Sequence, residues 1–402
     1  MRSRRTGVAL ATVLLLAVVS ACSGDKDPKT VGNDEPGGKA STSASAEPQS
    51  AAQITSSIAP GSKNVKVNRM LRLDVTAGTF SEVSISSKAG KVEGALSADR
   101  ASWQNTSRLQ PGALYRVRGI AVDESGEQKV YKARFRTAAL ALDKQTYPSF
   151  FPTAGSTVGV GLPVIIRFDV PVTNHAALQR HITVTSTPAQ TGAFHWISDK
   201  ELHWRPAKYW KPGTKVTVDA DIDSVPAGNG VFGQESRKNS FTIGRSLVSK
   251  VNMKTHQMKV FKNGKLIRTL PITTGEQPKF TTRSGTKVII EKFRHKRMNS
   301  ETIGIDPNSA DGYDLDDVEY AMRLTYSGEF VHAAPWSVGQ QGRANVSHGC
   351  TGMSTANAGW FYGQSIIGDV IEYTGTTKQM TLENGFGDWN LPIDEYAQGS
   401  AL

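Results

Sequence analysis

One pattern recurs at a spacing of about a hundred residues, and it limits the architectures open to this chain. Trp103 is followed eight residues later by Pro111-Gly112 and then by Leu114-Tyr115-Arg116-Val117. Trp204, 101 residues further on, is followed eight residues later by Pro212-Gly213 and then by Lys215-Val216-Thr217-Val218. Upstream, Val65-Lys66-Val67 to Leu71-Arg72-Leu73-Asp74-Val75 answers Val158-Gly159-Val160 to Ile165-Ile166-Arg167-Phe168-Asp169-Val170. Short alternating runs broken by Gly, Pro, Asn and Ser are the writing of strands and turns. The repeat predicts two tandem β-sandwiches of immunoglobulin type, over 53–139 and 140–244, neither with the disulfide of that fold.

A third β-rich unit is expected over 245–375, followed by a C-terminal extension, 376–402. The stretch from Val248 to Leu270 reads as a hairpin turning at Asn263-Gly264, the strongest short hairpin signal. Gly285 to Ile290 continues the strand pattern. Residues 296–317 then lose periodicity and carry Asp306, Asp311, Asp314, Asp316 and Asp317. They are expected to be a long polar loop, either functional or a solvated excursion. Ser354 to Gln364 is the helix candidate, with Ser354 as its N-cap. Ile366 to Tyr373 reads as a last strand, and Trp389 in Phe386-Gly387-Asp388-Trp389-Asn390 reads as a packing anchor. A mainly β chain of 402 residues with one or two short helices results.

Two cysteines in the whole chain exclude a disulfide scaffold and a multi-cysteine zinc or iron–sulfur centre. The first, Cys22, ends a leader. Arg2, Arg4 and Arg5 precede the apolar run Val8 to Val19, which is too short to span a bilayer and fits a signal peptide over 1–21. Val19-Ser20-Ala21-Cys22 resembles a bacterial lipobox, with Cys22 lipidated after cleavage. Residues 22–52 are rich in Ser, Gly, Pro, Ala and charge and are expected to be a flexible tether. The predicted location is the outer face of the cell membrane, lipid-anchored, with the folded part reaching into the wall. Cleavage takes the net charge from +11 to +8, which suits an anionic envelope. No basic stripe interleaved with aromatics appears, so nucleic acid is not an expected partner.

The second cysteine, Cys350, lies in Ser347-His348-Gly349-Cys350-Thr351-Gly352. Of eight histidines only His348 and His332 fall within 20 residues of it. A thiol becomes a nucleophile when an imidazole takes its proton. His348, two residues away, is poorly placed to aim its ring at the sulfur. His332 ends the β-like run Glu329-Phe330-Val331 and is expected to return beside Cys350 from a neighbouring strand as the base. His348 is expected to line the site. Gly349 would bring the backbone close to substrate, and the Gly349 and Cys350 N–H groups would form an oxyanion hole. A buried structural cysteine, a His-x-Cys zinc site lacking a fourth ligand, and a cysteine proteinase are the competing readings.

His332, fourteen intervening residues and then Ser347-His348-Gly349-Cys350 resemble the signature of the L,D-transpeptidase family, whose catalytic domain is of YkuD type. Tyr326-Ser327-Gly328, Pro335-Trp336-Ser337, Trp360-Phe361-Tyr362 and Gly387-Asp388-Trp389-Asn390 resemble its actinobacterial lipoprotein branch. The resemblance implies a Cys350 nucleophile, a His332 acid/base oriented by a backbone carbonyl, and His348 and Gly349 completing the catalytic set. It implies substrate contacts at Tyr313, Tyr326, Ser347 and Trp336, and neither metal nor cofactor. The implied partners are donor and acceptor peptidoglycan stem peptides, with carbapenem β-lactams as covalent inhibitors. The implied reaction joins third residues of two stems, a 3→3 cross-link, through a thioester with release of D-Ala. The alternatives are an L,D-carboxypeptidase and a weakly active or inactive wall-binding lipoprotein. Residues 296–317 become a candidate lid whose acids attract the acceptor ammonium. One departure stands out: the family places Asn two residues after the nucleophile, where this chain has Gly352.

Overall fold

The computed structural model describes residues 50–402; the expected signal peptide, Cys22 and the expected tether up to residue 49 lie outside the described residues. Two four-stranded sheets build the first sandwich. One orders Gln53–Ser56, Arg72–Thr76, Ser102–Asn105 and Gly94–Leu96 side by side. The other orders Gly90–Lys91, Thr79–Ser87, Leu114–Val122 and Gln128–Arg136. The second sandwich repeats the plan with Pro148–Phe151, Val164–Phe168, Glu201–Pro206 and Gly192–Ser198 facing Thr157–Val158, Arg237–Ile243, Lys215–Ala220 and Ile182–Thr187.

The repeat read from the tryptophans extends to their neighbours. Trp103 and Trp204 are both buried, each on the third strand of its sheet. Gly94 pairs with Asn105 and Gly192 with Pro206, in each case two residues past the tryptophan. A Cβ on Gly94 would sit 2.0 Å from Trp103 Cζ2, and one on Gly192 2.5 Å from Trp204 Cζ2. Each indole therefore lies across a strand that has no side chain at that point.

Pro226–Gly228, Val231–Gly233 and Gln145–Thr146 add a short three-stranded sheet, and the residues after 245 form two more. Lys265–Pro271, Gln257–Lys262, Leu247–Asn252, Val370–Thr374 and Gly285–Val288 make a five-stranded one. Asn263-Gly264 makes the tight turn of its hairpin with φ of 50° and 80°, both in the left-handed region such a turn requires. The second sheet orders Glu291–Asn299, Asp314–Arg323, Phe330–Ala333 and Thr351–Met353. Helix Thr355–Gln364 follows, its first turn capped by Ser354 Oγ, which accepts from Asn357 N–H at 3.2 Å. Phe361 and Ala358 of the helix enter one core with Met322, Val331, Ala333 and Met353.

Residues 296–317 are not one long loop. They are the end of a hairpin whose arms are Glu291–Asn299 and Asp314–Arg323, leaving 300–313 as its tip. Both faces of these arms carry charge, so the alternation that marks a half-buried strand is missing. Complementary pairs hold the arms instead: Arg297–Asp314 at 2.6 Å, Arg294–Glu319 at 2.7 Å and His295–Asp317 at 2.8 Å.

The second sandwich shares its core with the unit that follows it. Its core continues into Val288, Ile290, Val370 and Phe386. Gly159 N–H donates to Ile367 O at 2.8 Å and Gly161 N–H to Gly368 O at 2.9 Å, a main-chain to main-chain contact. The C-terminal extension locks the same junction. Trp389 Nε1 donates to the Gly161 carbonyl at 2.6 Å. Arg205 donates to the Asp388 and Leu391 carbonyls and lies over the rings of Trp389 and Tyr396. Below it, buried His203 bridges Asp388 at 2.8 Å and Glu201 at 2.7 Å. Burial alone would depress the imidazole, but Asp388 and Glu201 outweigh it and lift His203 to about 9.

Replacing His203 with Gln leaves Asp388 buried beside Glu201 without its cation, and is expected to cost about 3–5 kcal/mol. The folded value lies above the ordinary 6.5, so this stabilisation is complete below about pH 6.5 and is lost as pH rises through about 9. Urea midpoints of the chain and of H203Q should therefore differ widely at pH 6 and converge near pH 10.

Candidate active site

The short parallel pair Phe330–Ala333 and Thr351–Met353 sets the site. Its register places Val331 against Thr351 and His332 against Gly352. Cys350 immediately precedes the second strand, so the sulfur and the imidazole, eighteen residues apart in sequence, open into one cleft of about 360 Å³. The crossover between the two strands is pinned to the neighbouring sheet. Ser347 N–H donates to Thr274 O at 3.0 Å, and Asn345 Oδ1 accepts from the Thr274 N–H and hydroxyl at 3.0 and 2.8 Å.

Cys350 Sγ accepts from Phe330 N–H at 3.4 Å and donates to Gly328 O at 3.5 Å. Burial pushes the thiol up to about 12; the Phe330 N–H and the nearby Lys287 and Arg323 favour the thiolate, while Glu329 opposes it. His332 Nδ1 lies 2.7 Å from Ala333 O, so that nitrogen carries the hydrogen and Nε2 keeps its lone pair. Burial holds His332 below its ordinary value. Both groups thus favour their neutral forms. The resting pair is thiol and imidazole rather than thiolate and imidazolium, and the proton moves as the sulfur attacks.

A buried charge cluster lies behind the sulfur. Glu329, in the 328–330 segment that cradles Cys350 Sγ, pairs with Lys287 Nζ and, at 3.1 Å, with Arg283 Nη1. Lys287 is fully buried and lies 3.8 Å from the centre of the Tyr373 ring. Tyr373 hydroxyl in turn meets Thr351 Oγ1 at 2.7 Å. Neither Lys287 nor Glu329 stands out in the sequence, where a charged residue in a strand run reads as solvent-facing.

The expected site residues sort into three groups. His332, His348, Cys350, Tyr313, Trp336 and Ser347 all line the cleft. The His348 ring sits between Phe280, at 4.3 Å, and Tyr313, at 5.0 Å between centroids. The half-exposed Trp336 indole lies nearly parallel to the His332 ring at 5.9 Å. Ser347 and Gly349 also hold the turn before the sulfur. Ser347 Oγ donates to Cys350 O at 2.6 Å and accepts from Gly349 N–H at 3.1 Å, tying up the first of the two expected oxyanion donors. Gly349 is buried with φ of 123°, so its demand is for a conformation L side chains rarely adopt. Tyr326 is not in the cleft: it points to the second sandwich, edge-on to Phe386 at 6.5 Å, and its phenol is pushed up by burial near Glu201.

The hairpin does line the cleft, through Tyr313 of its tip and Met298 and Leu315 of the adjoining arms. Most of its acids are engaged elsewhere: Asp311 with Lys279, and Asp314 and Asp316 with Arg297. Asp317 meets His295, while Asp306 and Glu301 have no ion-pair partner among the described residues. Periodicity missed the apolar lining, because Met298 and Leu315 belong to strands that read as polar loop. Gly352, opposite His332, forms part of the wall, and a Cβ there would lie 2.9 Å from Ala334 Cβ and 3.0 Å from Thr273 Cγ2.

The chain matches known families and proteins over most of its length. A family model described as a bacterial Ig domain matches residues 62–226, and one for the L,D-transpeptidase catalytic domain matches 247–372. The chain is 35% identical over 352 residues to L,D-transpeptidase 2 of Mycobacterium tuberculosis (strain CDC 1551 / Oshkosh), covering 87% of this chain and 85% of that one. It is 34% identical over 373 residues to L,D-transpeptidase 5 of M. tuberculosis (strain ATCC 25618 / H37Rv), covering 91% and 80%. The solved structure of the LD transpeptidase LdtMt1 in complex with imipenem superposes with a TM-score of 0.51 and 38% identity, over 57% of this chain and 99% of that one.

Two substitutions test the charge cluster with opposite signs. Glu329→Gln removes the anion that opposes the thiolate, so alkylation of Cys350 by iodoacetamide at pH 8 should quicken by about tenfold for each unit the thiol falls. Lys287→Met removes the helping cation and should slow it. A mere packing defect would move both the same way. Gly352→Asn should overpack the wall, lowering stability by about 1–3 kcal/mol in a thermal melt.

Proposed function

The chain belongs to the L,D-transpeptidase family, peptidoglycan transpeptidases, and from that premise we propose that Cys350 and His332 carry out a two-step acyl transfer between stem peptides. The Cys350 sulfur attacks the carbonyl of the third residue of a donor tetrapeptide stem as His332 Nε2 takes the thiol proton. His332 returns that proton to the departing D-Ala amine, leaving a thioester on Cys350. The side-chain amine of the third residue of a second stem then attacks, His332 relays its proton back to the sulfur, and a 3→3 link is released. The single observation behind this reading is the shared cleft of the neutral thiol and the tautomer-fixed imidazole.

The cleft walls favour an amine over water as acceptor. Met298, Leu315, Val346 and Trp336 give an apolar surround from which water is displaced when a peptide enters. Cys350 N–H remains the expected oxyanion donor, since Gly349 N–H already donates to Ser347. A carbapenem, whose strained lactam carbonyl resembles the donor carbonyl, would acylate the same sulfur. Cys22 would carry the lipid that holds the enzyme at the outer face of the membrane.

Cys350→Ala should abolish both D-Ala release and 3→3 dimers from a defined tetrapeptide muropeptide. His332→Gln should slow acylation by about 10²–10⁴-fold. Because burial holds His332 below its ordinary value, the acid limb of kcat/KM should fall below pH 6.5. Mass spectrometry of the products is the measurement: dimers made by the Cys350 variant would overturn the nucleophile, and tripeptide without dimers would turn the reading to a carboxypeptidase.

A further inference from the structure

The outer face of the first sandwich carries an arrangement that sheets ordinarily avoid. Leu114–Val122 and Gln128–Arg136 pair so that Arg116 lies directly opposite Arg134 and Arg118 directly opposite Lys132. All four side chains are exposed, on one face, as two like-charged rungs in succession. Like charges directly opposite one another destabilise a sheet. The catalytic hairpin shows how this chain otherwise treats an exposed sheet face, with each arginine given an acid across the strands.

Only one of these four cations has an acidic partner: Arg118 meets Glu82 at 2.7 Å. Arg116, Lys132 and Arg134 have no ion-pair partner among the described residues. The next strand adds Ser84 opposite Arg118 and Ser86 opposite Arg116, hydroxyls rather than acids. Beyond Ser86 stands Lys91, extending the Arg116 row. On the far side the 60–61 turn rises as a wall, with Gly61 N–H bonded to Arg134 O at 2.7 Å. The result is a groove of about 770 Å³ running along the strands, lined by Arg116, Arg118, Lys132, Arg134, Ser84 and Ser86.

We propose that this groove binds a linear polyanion bearing phosphate groups, a binding function separate from the acyl-transfer site. Three of the four cations that line it are arginines, whose planar forks match two phosphate oxygens at once. Strand spacing of about 4.8 Å and two-residue steps of about 6.8 Å set the cations on a grid that successive groups of an extended chain can follow. The groove suits a chain better than a bilayer. It is concave, and Val130 is the one large apolar side chain exposed on these two strands, so nothing is built to insert into lipid. The repulsion between the rungs is relieved when the anion is bound, which gives the costly pairing a purpose.

The test uses the full chain in detergent micelles and fluorescein-labelled linear polyphosphate, read by anisotropy. The chain should bind with an affinity that falls as salt rises. R116S/R134S should weaken binding by about tenfold or more, whereas K259S/K265S, which removes the same charge from the catalytic domain, should change it little. Relief of the Arg–Arg rung should leave the melting temperature of R116S/R134S equal or higher, with D-Ala release unchanged. Should that variant melt lower, R118S/K132S is read in its place, and R116K/R134K should keep most of the binding. Failure of the wild-type chain to bind polyphosphate, or an equal loss in K259S/K265S, would overturn the proposal. So would groove-dependent capture of vesicles containing phosphatidylglycerol without binding of polyphosphate.

Discussion

Everything in the catalytic domain depends on three rungs of parallel pairing between 330–333 and 351–353. A parallel pair cannot be closed by a tight turn. Residues 334–350 must therefore travel out and back, and that excursion forms one wall of the cleft. Its return leg delivers Cys350 at the mouth of the pair with the sulfur held by backbone on two sides. Slipping the register by one residue would turn His332 into the core and remove the base, because strand side chains alternate faces.

Two buried charge clusters, one at the junction with the second sandwich and one behind the sulfur, act differently. His203 between Asp388 and Glu201 is a cation enclosed by two acids, and it clamps the C-terminal extension to the second sandwich. Glu329 between Lys287 and Arg283 is an anion enclosed by two cations, and it backs the segment that cradles the sulfur. The first is purely a tie. The second also acts on the thiol, with Lys287 favouring the thiolate and Glu329 opposing it, while burial keeps the thiol protonated at rest. Neither cluster contributes much net stability compared with an apolar replacement of the same shape, but removing a single member of either is costly.

Where sequence and structure agree, a local rule coincided with tertiary need. The tryptophan repeat, the Asn263-Gly264 turn and the Ser354 cap each satisfy a backbone requirement within a few residues, and such requirements are visible in a linear string. Cys350 and His332 were legible because export, scarcity and spacing singled them out. Where sequence reasoning fell short, the deciding partner was remote. Residues 296–299 and 314–317 looked like loop because their pairing is cross-strand charge rather than alternating apolarity. Lys287 did not stand out because its acid lies 42 positions away. Tyr326 sat beside the motif in sequence yet faces the other domain, since the turn at 325–328 reverses its direction.

The main-chain contacts of Gly159 and Gly161 with residues 367 and 368 have a mechanical consequence. They fuse the second sandwich and the catalytic sheets into one stiff body with a continuous core. The first sandwich keeps a core of its own and meets that body through a few polar bonds, among them Arg108 to Asp221 and Ser224 to the Leu109 carbonyl. A load applied along the N-terminal end would yield at that polar seam first. The cleft would ride unstrained on the stiff part, so tension in the surroundings changes where the enzyme points without changing the shape of what it grips.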